Sequence, residues 1–199
     1  MSELEFKAWP KVPRLNREVI ITEKLDGTNS AVIITEDGEF GAQSRNRLIY
    51  PGKATDNYGF AQWAEDNKEA LIKALGVGHH YGEWWGGGIA RGYGLKGDDK
   101  RWSLFNIDRY KDTDFSELPN VGLVPKVHPA IFNYEFNTLE HVERAIDELR
   151  VGGSFAVSGY MNPEGVIVYH TAADTLFKVT LENDEKPKGS NEKTGGENG

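Results

Sequence analysis

The amino-acid sequence predicts an α+β fold made mainly of antiparallel sheets. Short strand-forming runs outnumber helical segments and follow one another with turn residues between them, which is the pattern of hairpins. The chain of 199 residues is long enough to bury one substantial core. We expect a folded domain over residues 1–182 and a polar, disordered tail over residues 183–199.

Strand propensity comes from runs of β-branched and aromatic residues that end at turn residues. A Gly-containing turn separates the first two runs, and Asp37-Gly38 is a common hairpin dipeptide that would join the second run to the third. The predicted strands are Arg17–Glu23, Ser30–Thr35, Phe40–Gln43, His79–Trp84, Arg101–Tyr110, Gly165–Tyr169 and Leu176–Leu181.

Helical periodicity occurs in two segments. From Asn57 to Leu75 apolar residues recur at helical spacing, and Gly76 supplies a stop. Asn137 with Glu140 forms a capping-box pattern, so that a second helix is expected to begin there.

Composition limits the class of protein. Cysteine is absent, which excludes disulfides and thiolate metal sites. No apolar run approaches the roughly 20 residues of a membrane span, and the amino terminus lacks an apolar signal core. We expect a cytoplasmic monomer with no membrane association. The formal net charge of -8 argues mildly against a nucleic-acid partner, but phosphate binding depends on where the cations lie and not on their sum.

The segment Glu23-Lys24-Leu25-Asp26-Gly27-Thr28-Asn29 is the first candidate for chemistry. It places an amine at the end of an apolar strand, next to a turn that allows close backbone approach. Lysine is a useful nucleophile when its pKa is lowered or when a metal cation helps to deprotonate it. The alternative is an ordinary hairpin turn, because Asp-Gly is a common turn dipeptide.

Five further segments follow in order: Ser44-Arg45-Asn46, Tyr81–Gly86, Leu104–Ile107, Glu164–Val168 and Phe177–Thr180. Together with residues 23–29 they resemble motifs I, Ia, III, IIIa, IV and V of the covalent nucleotidyltransferase superfamily, which contains polynucleotide ligases and mRNA capping enzymes. The resemblance covers roughly residues 12–186 and implies the ligase adenylation-domain fold. Asn29 stands where DNA ligases and capping enzymes carry Arg, so the chain looks like the RNA-ligase branch.

The resemblance also implies roles for single residues. Lys24 would take AMP from ATP and pass it to a polynucleotide 5′-phosphate, and a 3′-hydroxyl would then displace AMP. Mg²⁺ or Mn²⁺ would be required, placed by Glu164 through water. The other implied nucleotide contacts are Glu23 and Asn29, Arg45 at the ribose or the substrate phosphate, Glu83 at the ribose, Phe105 against adenine with Trp102 as the second choice, and Lys178 at the α-phosphate.

Two departures from the family pattern keep alternatives open. Thr180 stands where ligases carry a second basic residue, so that either one lysine is enough or Lys186 or Lys188 replaces the second. After Lys178 there is no room for the second domain that related ligases add, so we expect an adenylation domain alone. The preferred interpretation is an RNA ligase that joins a 3′-hydroxyl RNA to a 5′-phosphate on RNA or DNA, including RNA–DNA hybrids. The alternatives are a DNA ligase, a capping-type guanylyltransferase, and a module that binds nucleotide or RNA ends without turnover.

Two other patterns carry little weight. Gly92–Gly97 fits a GxGxxG dinucleotide-binding motif, but it does not lie between an apolar strand and a helix. Arg91 and Lys96 in this loop more naturally line a substrate groove. His79 and His80 are adjacent on a predicted strand and would point to opposite faces, which argues against a metal pair.

Overall fold

Two β-sheets organise the parts of the chain that the computed structural model describes, which are residues 4–52, 54–128, 137–182 and 184. The predicted α+β class, with mainly antiparallel strands, is confirmed. No helix in these parts is both long enough and apolar enough to cross a membrane. The strands are β1 (Val19–Lys24), β2 (Thr28–Ile34), β3 (Phe40–Ser44), β4 (Leu48–Ile49), β5 (Gly78–Gly86), β6 (Lys100–Leu104), β7 (Val121–Leu123), β8 (Lys126–His128), β9 (Gly165–His170) and β10 (Thr175–Thr180).

Four α-helices accompany the described strands: α1 (Phe60–Asp66), α2 (Lys68–Leu75), α3 (Ile107–Tyr110) and α4 (Thr138–Gly152). Helix α4 begins at the predicted capping box, in which the Asn137 side chain accepts from the Glu140 backbone and Glu140 accepts from the Asn137 backbone. The helix predicted over 57–75 is divided into α1 and α2, because Asn67 has a non-helical backbone between them. Gly76 ends α2 as expected.

The first sheet has the strand order β10-β9-β1-β8, and the second has the order β4-β3-β2-β5-β6-β7. All pairs are antiparallel except β6 with β7. Strands β2 and β3 form the hairpin predicted from Asp37-Gly38, with Gly38 in the left-handed region. The strand predicted over 101–110 ends at Leu104, because Asn106 caps a helical turn at Ile107.

Strands β1 and β2 are consecutive, yet they belong to different sheets. The turn at residues 25–27 therefore crosses from one sheet to the other, and the alternative of an ordinary hairpin there is wrong. Leu25 is buried in a cluster between the sheets, together with Trp85 and Tyr93. Gly27 is needed at the crossing because a Cβ would collide with the backbone of Trp84 and with the Trp85 side chain.

Each sheet has its own core on one face. Helix α4 packs on the first sheet through Ala145, Ile146 and Leu149. Helices α1 and α2 pack on the second sheet, where the rings of Phe60, Trp63, Trp84 and Trp102 lie 5.0–5.8 Å apart. The faces without helices carry the third buried cluster, which contains Leu25, Trp85 and Tyr93, and the rest of these faces is available for a site.

The structure bears on two smaller predictions. His80 is buried and His79 is exposed, as alternation along β5 predicts. Gly92–Gly94 forms a one-turn 3₁₀ helix with no α-helix after it, which agrees with the dismissal of a dinucleotide motif there. The boundary at residue 182 is untested, because residues 185–199 lie outside the described parts of the chain.

Candidate active site

The register of the first sheet determines which side chains share a face with Lys24. Lys24 lies opposite Gly165, which lies opposite Thr180. Two pairs further along, Ile167 lies opposite Lys178. Directly paired residues of antiparallel strands point to the same face, and residues two apart on a strand do so as well. Lys24, Ile167 and Lys178 therefore share the face that α4 does not cover.

Lys24 forms an ion pair with Glu164, with Nζ donating a hydrogen bond to Oε2. Glu164 is the residue before β9, and its side chain is 7% exposed, against 17% for Lys24. The amine predicted as nucleophile and the carboxylate predicted to place a metal are therefore brought together. This contact lies at the ends of adjacent strands, where the turn crosses to the second sheet.

The second sheet contributes a row of polar side chains on its uncovered face. Asn29 lies opposite Glu83, and Glu83 lies opposite Ser103. The Glu83 carboxylate accepts hydrogen bonds from the Gly27 backbone N–H at 3.1 Å and from the Asn29 side-chain amide at 3.0 Å. Motifs I and III of the resemblance are thus joined by direct bonds.

Burial raises the pKa of Glu83 to about 7, and the positive charge of Lys24 partly opposes that rise. The negative charges of Glu164 and Asp26 raise the pKa further. These influences place Glu83 close to the Lys24–Glu164 pair, although the two lie on different sheets. A carboxyl group with a pKa near neutrality, beside a lysine and a second carboxylate, is typical of a functional site.

The two aromatic residues proposed for stacking have different surroundings. Phe105 follows β6 on the face of Glu83, is 40% exposed, and continues the ladder by donating its N–H to the Tyr81 carbonyl at 3.0 Å. Trp102 is fully buried against α1. Trp102 as the second stacking residue is therefore wrong, because alternation along β6 turns its ring into the core.

Glu23 lies on the opposite face of β1 from its neighbour Lys24. The Glu23 carboxylate is 1% exposed and accepts from the Ser154 hydroxyl at 2.7 Å and from the N–H groups of Phe155 and Ala156 at 2.8 and 3.0 Å. Burial raises its pKa, and these hydrogen bonds oppose the rise. Glu23 thus fastens the segment after α4 to β1, and the predicted contact between its side chain and nucleotide finds no support in this position.

Arg45 and Lys178, the other two cations predicted to contact the nucleotide or the substrate phosphate, are exposed. Arg45 lies in the bend after β3, one residue after Ser44, which lies opposite Ser30. Lys178 lies on β10, on the same face as Lys24. Thr180, which stands where a second basic residue was expected, donates its hydroxyl to the Glu182 carbonyl and to Asp184 Oδ1. Lys186 and Lys188 lie outside the described residues.

Sequence reasoning missed two residues on the Lys24 face. Ile167 is half-buried between Lys178 and Thr22, and it offers the apolar surface of that row. Thr22 is a buried polar residue in the same row. Counting by twos from Lys24 and Gly165 would have found both, once β1 and β9 were known to pair.

The described residues contain no group of three His, Cys, Asp or Glu side chains that could bind a metal by itself. A single carboxylate such as Glu164 nevertheless suits Mg²⁺, which keeps several waters and is usually bound by one or two carboxylates together with substrate phosphates. The carboxylate set here fits such a cation only when a phosphorylated ligand completes the site.

Comparison with known proteins shows the family and the fold. The family model described as RNA ligase matches residues 17–180. Similar solved structures include three of the Naegleria gruberi RNA ligase, each with a TM-score of 0.51: a mutant with AMP and Mn (18% identity), a mutant with ATP and Mn (17%), and a form with PPi (19%). They cover 82–87% of this chain and 49–53% of theirs, so this chain spans about half of their length. No curated protein matches the chain.

Proposed function

Because the chain belongs to the RNA ligase family, we propose that it joins RNA ends with Lys24 as the nucleophile that takes AMP from ATP. The observation that carries this proposal is the Lys24–Glu164 pair at the crossing between the sheets, with Glu83 close by on the second sheet. An amine held beside one carboxylate, with a second carboxyl group close by whose pKa is raised to about 7, suits nucleotidyl transfer better than it suits a structural ion pair.

The nucleotide would lie across the two uncovered faces. Phe105 offers an exposed ring for the purine, and Ile167 offers apolar surface on the other sheet. Glu83 and Asn29, which lie opposite each other on β5 and β2, would accept from and donate to the ribose hydroxyls. Arg45 and Lys178 are exposed cations and would neutralise phosphate charge.

In the first step, Lys24 Nζ attacks the α-phosphorus of ATP, a P–N bond forms, and the bond to the bridging oxygen breaks to release pyrophosphate. The amine must lose its proton before it attacks, and the Glu164 carboxylate already accepts a hydrogen bond from Nζ. Mg²⁺ or Mn²⁺, held near Glu164 through water, would supply positive charge for the phosphates.

The second and third steps transfer and then release AMP. An oxygen of the RNA 5′-phosphate attacks the lysine-bound phosphorus, the P–N bond breaks, and an adenylylated 5′ end forms. A 3′-hydroxyl then attacks that 5′-phosphorus, loses its proton, and displaces AMP as the strand is sealed. In both steps the protein mainly aligns the reacting groups and stabilises charge.

The Naegleria gruberi structures with ATP, AMP and Mn support the choice of cofactors. We propose RNA at the 3′-hydroxyl side and either RNA or DNA at the 5′-phosphate side. A DNA ligase or a capping-type guanylyltransferase is the rival enzyme. A binding module without turnover is a second rival, and Thr180 in the place of a second base favours it.

The test is incubation with ATP labelled at the α-phosphate, followed by denaturing electrophoresis and mass spectrometry of the labelled peptide. We expect covalent AMP on Lys24 in the presence of Mg²⁺ or Mn²⁺. ATP labelled at the γ-phosphate should leave no label on the protein, because that phosphate leaves in pyrophosphate. Labelling by GTP in preference to ATP would identify a guanylyltransferase. No label on a folded protein that binds ATP would identify the binding module.

A further inference from the structure

Arg91, in the loop between β5 and β6, contacts both turns that carry the Lys24–Glu164 pair. Its Nε lies 3.2 Å from Asp26 Oδ2, in an ion pair without hydrogen-bond alignment. Its Nη1 donates to Asn162 Oδ1 at 2.8 Å and to the Asn162 carbonyl at 3.3 Å. Asp26 is two residues after Lys24, and Asn162 is two residues before Glu164. The same two turns are therefore joined twice, once by the reactive pair and once by Arg91.

The loop that carries Arg91 is itself firmly held. The Tyr93 hydroxyl accepts from the Asp26 backbone N–H at 3.0 Å. The Tyr93 ring is 1% exposed, and its centroid lies 5.0 Å from that of Trp85 and 4.7 Å from that of Tyr160. Both Ala90 and Tyr93 have positive φ, a strained backbone that persists only where packing imposes it. The loop therefore presents Arg91 from a fixed position.

The strand ladder alone does not hold the two turns. Strand β1 ends at Lys24 and β9 begins at Gly165, so Asp26 and Asn162 lie beyond the last paired residues, whereas the Glu164 carbonyl still accepts from the Leu181 N–H at 3.0 Å. An arginine fork can bond two partners in a fixed plane, whereas a lysine ammonium acts as a single point. At 24% exposure, the Arg91 side chain is partly shielded from water, which strengthens its contacts.

We infer that Arg91 is a positioning residue for lysine adenylylation: it holds the turn of Asp26 and the turn of Asn162 so that Glu164 meets Lys24. The expected effect on the rate of adenylylation rests on the proposed function. The contacts of Arg91 with Asp26 and Asn162 do not depend on it. Arg91 contacts protein groups in both turns, so its loss should slow the chemical step more than it weakens nucleotide binding.

The experiment compares Arg91→Ala, Arg91→Lys and Asn162→Ala with Arg150→Ala as the matched control. Arg150 is an exposed arginine on α4 whose carboxylate partner, Asp147, lies three residues away. Single-turnover adenylylation is measured over a range of ATP concentrations, with the melting temperature of each variant. We expect the Arg91→Ala rate at saturating ATP to fall about tenfold or more, while the half-saturating ATP concentration changes less than about threefold.

Two further comparisons sharpen the result. Arg91→Lys should not restore the rate, because the donors of an ammonium radiate from one nitrogen and lack the fixed planar fork that presents Nε to Asp26 and Nη1 to Asn162. Asn162→Ala should slow the rate less than Arg91→Ala does, because Arg91 keeps its contact with Asp26. The double variant should be no slower than Arg91→Ala, because both substitutions remove the same contact between Arg91 and Asn162. A full rate with Arg91→Lys, or a defect confined to the half-saturating concentration, would overturn the inference.

Amide hydrogen exchange separates this inference from the proposed function. In Arg91→Ala, the N–H groups of residues 25–27, 160–162, 164 and 165 should exchange faster than in the wild type, while those of β2 and β5 keep their protection. Unchanged exchange in the two turns overturns the tie, whatever the activity. A wild-type protein that takes no label from ATP refutes the ligase proposal, and the exchange result still decides whether Arg91 holds the turns.

Discussion

Lys24 and Glu164 form an ion pair although they are 140 residues apart in the sequence. The pair joins the end of β1 to the start of β9, at the point where the chain crosses from one sheet to the other. In the proposed function, the Lys24 amine with this carboxylate beside it and the exposed cation Lys178 on the same face is the group that attacks phosphorus. The predictions below separate this arrangement from a structural ion pair.

Replacing Lys24 by Ala should abolish covalent labelling by ATP while the protein stays folded, because the side chain lies at a strand end and outside the three cores. Lys73→Ala is the matched control, since Lys73 forms an exposed ion pair with Glu117 on the far side of α2. The measurement is the intact mass before and after incubation with ATP, together with a thermal melt. Label on a residue other than Lys24 would contradict the assignment of the nucleophile.

The free energy of unfolding of Glu83→Gln, relative to that of the wild type, should increase as the pH rises from 4.5 to 7. Burial raises the folded-state pKa of Glu83 to about 7 from an ordinary 4.5, so the folded state holds a proton that the unfolded state has lost between these values. Wild-type stability from this group therefore falls across pH 4.5–7, and glutamine removes that loss.

The gain from Glu83→Gln should be on the order of 2 kcal/mol at pH 8 and should vanish below pH 4.5. Denaturant unfolding at pH 4.5, 6 and 8 measures it, with exposed Glu65→Gln as the control. A gain independent of pH would mean that the Glu83 carboxyl does not titrate in this window.

Glu23→Ala should destabilise the protein by about 3 kcal/mol, because the Ser154 hydroxyl and two backbone N–H groups lose a buried acceptor. Glu23→Gln keeps an acceptor oxygen and should lose less. The comparison is made by denaturant unfolding and by ATP titration of each folded variant. If Glu23 instead contacts nucleotide, Glu23→Ala would weaken ATP binding and leave the free energy of unfolding unchanged.

Truncation of Phe105 should weaken nucleotide binding, whereas truncation of Trp102 should lower the stability of the fold. Phe105→Ala should raise the ATP concentration for half-maximal labelling about tenfold, since stacking of a base on an aromatic ring is worth roughly 1–3 kcal/mol, and should leave the melting temperature nearly unchanged. Trp102→Ala should cost about 3–5 kcal/mol of stability, because its ring fills the core against Phe60. Labelling by ATP as efficient in Phe105→Ala as in the wild type would remove Phe105 from the nucleotide site.

Sealing should depend on a ribose at the 3′-hydroxyl side of a junction and much less on the sugar at the 5′-phosphate side. The 2′-hydroxyl distinguishes RNA from DNA locally and favours the A-form geometry that aligns the attacking oxygen. Four nicked duplexes on one template, with RNA or DNA on each side, are scored for joined product and for adenylylated 5′ end. Equal sealing of the all-DNA nick would replace the RNA-ligase proposal by a DNA ligase with the same lysine chemistry.

Local features of the sequence were predictable because they depend on neighbours in the chain. The capping box at Asn137 and Glu140, the hairpin turn at Asp37-Gly38 and the opposite orientations of His79 and His80 each involve groups within a few residues. Short helical turns were harder: Asn106 diverted the chain into α3, and a capping side chain outweighed the β propensity of the residues around it.

By itself the sequence determined the family, because the order of the motifs and the residue types in them do not depend on coordinates, and it predicted Lys24 as the nucleophile. Only the tertiary structure decided that the Lys24 turn crosses between sheets, that Glu23 points away from Lys24, that Phe105 and not Trp102 is exposed, and that Arg91 reaches both Asp26 and Asn162. The reason is physical: the face that a strand residue presents, and the partner it meets there, depend on long-range strand pairing, in which a register shift of one residue reverses every side chain.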